Sequence, residues 1–114
     1  MMISSISYAK QQLSLAHNWR TEGNNNQEQA ILTNIIKAWH AEQDREKAYA
    51  LGKEIFHYKF THDGIDKAIG ILKAYKDQEC AYKFAVPREV VKHYRAENRP
   101  DIAEIIEKAL NLIL

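Results

Sequence analysis

The sequence has one cysteine, two prolines and four glycines in 114 residues. It also lacks any strong excess of charge. A lone cysteine, Cys80, excludes an intrachain disulfide framework, which fits a reducing compartment. So few breakers argue against a turn-rich β fold and for long helices. A net charge of +1 is not the basic excess of a dedicated nucleic-acid binder or of a membrane-surface helix. No run approaches the roughly 18 apolar residues of a membrane span. The start, Met1 to Ser7, has neither a basic opening nor a long apolar run, so no signal peptide is expected. The expectation is a cytoplasmic protein without a membrane partner, folded as one domain over residues 1–114.

Apolar residues recur at helical spacing almost throughout. Ser4 or Ser5 is expected to cap a first helix carrying Ile6, Ala9, Leu13 and Ala16, with Trp19 near its end. Gly23-Asn24-Asn25-Asn26 is expected to form a polar, mobile loop. The spacing predicts a second helix from about Gln27 to Ala41. Ile31, Ile35, Ala38 and Trp39 share a stripe that Leu32 and Ile36 widen, so this helix should pack on two sides. Asp44 is placed to cap a third helix, with Ala48, Leu51, Ile55 and Tyr58 on one face. Tyr49, Phe56 and Phe60 give that helix an aromatic edge. The break Thr61-His62-Asp63-Gly64 follows, and Asp63 is expected to cap a fourth helix bearing Ile65, Ala68, Ile69, Leu72 and Tyr75.

A fifth stretch begins near Asp77 or Gln78. Proline is welcome in a first turn and not in a helix interior, so a short helix to Ala85 and a new one from Pro87 are expected. Asn98-Arg99-Pro100-Asp101 precedes a last amphipathic helix with Ile102, Ile105, Ile106, Ala109, Leu110 and Ile113. The fold class expected is therefore all-α. About six helices form antiparallel hairpins, either solenoid-like or as an irregular bundle.

Parts of the pattern recur. A shift of 36 lays Ile35-Ile36-Lys37-Ala38-Trp39 on Ile71-Leu72-Lys73-Ala74-Tyr75. A shift of 35 lays Tyr49 to Phe56 on Phe84 to Val91, and one of 55 lays Trp39 on Tyr94 and Ala48 on Ala103. Over about residues 31–110 this resembles tetratricopeptide and pentatricopeptide helical-hairpin repeats, whose period is about 34–35 residues. Gln43 and Asn98 stand where those families often place a turn glycine. The resemblance implies stacked hairpins.

No catalytic signature is present: no glycine-rich phosphate loop, GxSxG or HExxH. Neither a cofactor nor a metal is expected. Of the histidines, His17, His40, His57, His62 and His93, only His57 and His62 are near neighbours. Five residues apart, they are expected to face different sides of a helix, unlike ligand pairs at three or four. Carboxylates such as Asp44, Asp63 and Asp101 sit at expected helix starts, where capping accounts for them.

The leading expectation is a non-enzymatic module, an adaptor, chaperone or inhibitor, that binds a protein partner. Trp39, Tyr49, Tyr75 and Tyr94 would be its aromatic anchors if exposed. A short hairpin stack can also self-associate as a homodimer to cover its ends. A second reading is RNA binding by the basic C-terminal third. There Lys73, Lys92 and Arg95 would hold phosphates while Tyr75, Tyr82 and Tyr94 stack on bases. A third is a small enzyme using a metal or Cys80, with His57 and His62.

Overall fold

Helix α3, Arg45–Asp63, packs against four of the other five helices in a computed structural model that describes residues 6–76 and 86–111. Around it lie α1 (Ile6–Thr21), α2 (Asn25–Ala41), α4 (Ile65–Lys76), α5 (Val86–Ala96) and α6 (Pro100–Ala109). The described residues hold six helices and no strand. Consecutive helices pair as hairpins, α1 with α2, α3 with α4 and α5 with α6. Within these pairs the connections are so short that each partner must run back along its predecessor. Both α1 and α2 also rest on α3, as does α5. A helix so surrounded must be apolar over much of its girth. Accordingly α3 buries Ala48, Leu51, Ile55 and Tyr58 along one stripe and Gly52 and Phe56 on another.

The helix ends follow local chemistry. Asn24 accepts the Gln27 N–H at 3.1 Å, so Asn25 and Asn26 lie within α2 and the expected mobile loop shrinks to residues 22–24. Asp44 accepts the Lys47 N–H at 3.1 Å, as expected of a cap. At the next junction the expectation fails. Asp63 is the last residue of α3 and caps nothing; Gly64, at φ 94°, makes the break alone. Its N–H donates to the Phe60 carbonyl, and its own carbonyl accepts the first bond of α4 from Ala68. Pro87 is helical, the second described residue of α5, and a helix from Pro87 onwards is observed to Ala96. The expected short helix up to Ala85, like Cys80 and the cap at Ser4 or Ser5, lies outside the described residues.

The second helices of the three hairpins begin at Asn25, Ile65 and Pro100. The spacing drifts, so the hairpins are not strictly periodic. One pair matched by the echoes nevertheless meets. Trp39 and Tyr75, near the ends of α2 and α4, stack with ring centroids 4.1 Å apart and planes 6° from parallel. Ala48 and Ala103, each in the first turn and a half of its helix, are fully buried.

At Gly52 neighbouring side chains lie close against α3. A β-carbon there would lie 2.6 Å from Val86 Cγ1 and 3.0 Å from the Trp39 ring. Both are fully buried side chains. In an open helix Gly→Ala stabilises by about 1 kcal/mol. Here Gly52→Ala is expected to do the reverse, destabilising by about 1–3 kcal/mol through overpacking. Urea unfolding would register this as a lower midpoint at unchanged slope; a higher midpoint would contradict the close packing.

Candidate functional site

An open groove of about 460 Å³ runs between α1 and α3. Its walls follow from helical spacing: side chains three and four apart share a face. On α1 that face carries Lys10, Ser14, His17 and Asn18; on α3 it carries Glu54, His57, Thr61 and His62. Leu13 and Tyr58, both buried, form the apolar floor. The volume falls within the roughly 300–1,000 Å³ usual for ligand sites. Across the groove Lys10 Nζ lies 3.5 Å from a Glu54 carboxylate oxygen. At its other end the His17 and His62 rings stack, centroids 4.9 Å apart and planes inclined by 24°.

Behind the groove lies a polar network that joins three helices. Glu28, in the first turn of α2, is only 2% exposed. Its Oε2 accepts from the Tyr58 hydroxyl at 2.8 Å and from Arg20 at 3.1 Å. The Arg20 guanidinium also donates to Asp63 Oδ1 at 2.8 Å and to the His62 carbonyl at 2.9 Å. Lys59 Nζ, one turn back, donates to Asp63 Oδ2 at 3.1 Å. Such satisfaction is required, because an unpaired buried charge is costly. It also explains why Asp63 does not cap α4: the carboxylate expected at a helix N-terminus is instead drawn to Arg20 and Lys59.

The electrostatics follow from this arrangement. Burial, reinforced by the bond to Glu28, pushes the Tyr58 phenol far above its ordinary range, so it stays a donor. Burial alone would raise the Asp63 carboxyl, but Lys59 and Arg20 outweigh it and hold the group below the usual range. His62 is held below the ordinary imidazole value by burial, then by the neighbouring His17 and Arg20. Since its folded value is depressed, its contribution to stability is complete above the unfolded value of about 6.5 and is lost as pH falls below it. Thermal unfolding across that window is expected to show a declining midpoint, and His62→Gln to flatten the decline. Parallel curves for the two proteins would contradict this.

The groove is not where the aromatic anchors were expected. Trp39, Tyr75 and Tyr94 are 0%, 1% and 7% exposed, so they are core residues and not surface anchors. Trp39 and Tyr75 occupy each other, and Tyr94 meets the edge of Phe56 at 5.6 Å. Tyr49 is half-buried and packs on the same core. Much of the apolar girth of the described helices is likewise turned to the core, with Ile31, Ile36, Ile65 and Ile69 half-buried at its margin. Among the described residues the exposed large apolar side chains are Leu15 and Ile105, on different helices.

Of the expected phosphate contacts, Lys73 is exposed. Lys92 lies 3.2 Å from Glu89, and Arg95 pairs with Glu107. The tyrosines meant to stack on bases are buried at Tyr75 and Tyr94, and Tyr82 lies outside the described residues. His57 and His62 were expected on different sides of their helix, yet both border the groove, because a groove between two helices is reached from two flanks. Among the described residues no three His, Cys, Asp or Glu side chains are placed to hold a metal. No described helix is long and apolar enough to cross a membrane.

Sequence reasoning missed Glu28, Arg20, His17 and the whole α1 wall. The one available signal was a glutamate one turn before Leu32 on the buried stripe of α2. No protein family, curated protein or solved structure matches the chain.

Proposed function

We propose that the chain is a non-enzymatic interaction module, a hairpin stack of the repeat kind, that holds a segment of a protein partner in the groove between α1 and α3. One observation carries this reading. The groove combines an apolar floor with a rim of hydrogen-bonding side chains, the composition of a recognition site. It is also rigidly backed, since Arg20, Glu28, Tyr58 and Asp63 fix α1, α2 and α3 to one another behind it. Preorganisation of that kind lowers the entropy lost on binding.

A second surface supports RNA binding less well. The cleft of about 200 Å³ beside Arg88, Lys92 and Arg95 also contains Glu107. Among the described residues lining it there is no aromatic for base stacking, so RNA binding is the second choice.

Ser14 is exposed on the groove wall. A tagged Ser14→Trp variant fills the groove without touching the core. It is expected to lose a partner that the unmodified protein and a Lys73→Ala control both capture from the native cell. Equal capture by all three would place the binding surface elsewhere.

A further inference from the structure

Two seams join the three hairpins, and their chemistry differs. Across the second seam α3 meets α5 through Phe56 and Phe60, whose rings lie 5.6 and 6.3 Å from that of Tyr94. Val86 closes on Gly52 there. His93 meets Tyr94 of its own helix. Among the described residues the ion pairs that join hairpins, Lys10 with Glu54 and Arg20 with Asp63, both cross the first seam, between α1–α2 and α3–α4.

That first seam carries imidazoles at both ends. Beside the turn after α1, His17 stacks on His62 of α3. At the opposite end, in the last turn of α2, His40 lies 5.3 Å from the Tyr75 ring of α4 and 5.4 Å from that of Trp39.

Neither His40 nor His62 is well placed to take a second proton while the seam is closed. His40 is half-buried, and its Nε2 is enclosed without a partner. An N–H formed there would have no acceptor. Burial holds this ring below the ordinary imidazole range, and no charged group offsets it. His62 is half-buried too. His17 and Arg20 face it from α1, Glu28 from α2, and Tyr58 and Asp63 from its own helix. Glu28 and Asp63 favour the cation, but Arg20 already engages both and Lys59 engages Asp63. Burial, then His17 and Arg20, prevail and hold the ring low.

We infer that the first seam is an acid-operated hinge: protonation of His40 and His62 swings the α1–α2 hairpin off α3 and α4, about the turn at 42–44, while α3 to α6 stay assembled. Linkage sets the sign. A ring kept neutral in the closed form and freed in the open one favours opening as pH falls below about 6.5, by up to about 30-fold per imidazole at about pH 5. Opening bares Leu32, Ile35 and Trp39, all buried, so the open form is a minor one at neutral pH. Since α1 is one wall of the groove, the open form has no groove. Release of a bound segment by acid therefore rests on the groove reading; the hinge itself does not.

Hydrogen exchange of the free chain at about pH 7.5 and about pH 5, each corrected for the intrinsic amide rate, tests the hinge. Protection in α1 and α2 should fall roughly tenfold or more relative to α5 and α6 at the lower pH. His40→Gln combined with His62→Gln should remove most of that difference. If the double variant does not fold, His62→Gln alone should about halve the difference on a logarithmic scale. His57→Gln, at an exposed position of α3, should preserve it.

Protection lost evenly from all six helices would be ordinary acid unfolding and would overturn the inference. So would earlier opening of α5 and α6, or an undiminished difference in the His40 and His62 variants. If the hinge opens while the captured cellular partner stays bound at the lower pH, the hinge stands and the groove reading falls.

Discussion

Glu28→Ala is expected to destabilise the protein by about 3 kcal/mol, the lower end of the range for breaking a buried ion pair. The carboxylate is 2% exposed and serves two donors at once. Without it the Tyr58 hydroxyl is stranded against the core, a loss of about 1–3 kcal/mol by itself. Arg20 suffers less. Its side chain is 32% exposed, and it keeps Asp63 and the His62 carbonyl. Two companions separate these contributions. Glu28→Gln retains an acceptor for Tyr58 and should cost less than alanine. Tyr58→Phe removes the stranded hydroxyl, so it should cost less in the Glu28→Ala background than alone, and the difference in a double-mutant cycle is their coupling. Urea unfolding of the four proteins measures it. A Glu28→Ala variant within about 0.5 kcal/mol of the parent would mean that the network ties nothing together.

That network marks the boundary of what the sequence can reveal. Periodicity located each described helix, since apolar residues three and four apart line up into one stripe only when the backbone is helical. Asp44 was identifiable as a cap because a cap acts three residues away. Glu28 was not identifiable, because its partners Arg20 and Tyr58 lie 8 and 30 residues off, and only the packing of α1 and α3 brings them together. Asp63 misled for a related reason. An Asp-Gly before an apolar run has the local form of a helix start, but Arg20, 43 residues away, competes for the carboxylate and wins.

The groove shows the same limit from another side. It is built from the flanks of two stripes, Lys10 to Asn18 and Glu54 to His62. Neither flank is unusual alone, and the angle between His57 and His62 on one helix matters little once a second helix closes the space. The aromatic residues were ambiguous in principle. An aromatic ring at the end of an amphipathic helix has the same sequence signature whether it meets a partner protein or a neighbouring hairpin. Only the packing of α2 and α4 shows that Trp39 meets Tyr75.

Trp39→Ala should therefore act on stability, at about 3–5 kcal/mol. The ring is wholly buried, stacked on Tyr75 of α4 at 4.1 Å and laid against Gly52 of α3. Its removal takes away one wall of the contact between the first and second hairpins and leaves a cavity that rigid neighbours can only partly close. Chains of this size commonly have about 5–15 kcal/mol to lose, so the variant should remain folded at low temperature but unfold in much less urea. Trp39→Phe keeps a ring for Tyr75 to stack on and should cost less.

The glycine beneath that ring tests the same packing independently. If Gly52 is needed because Trp39 and Val86 crowd it, its substitution by alanine should hurt less once either neighbour is trimmed. Val86 Cγ1 is the nearer obstacle at 2.6 Å, against 3.0 Å for the indole. Val86→Ala should therefore relieve Gly52→Ala more than Trp39→Ala does. The reverse order, or strict additivity of the three substitutions, would mean that α2, α3 and α5 do not converge at this glycine.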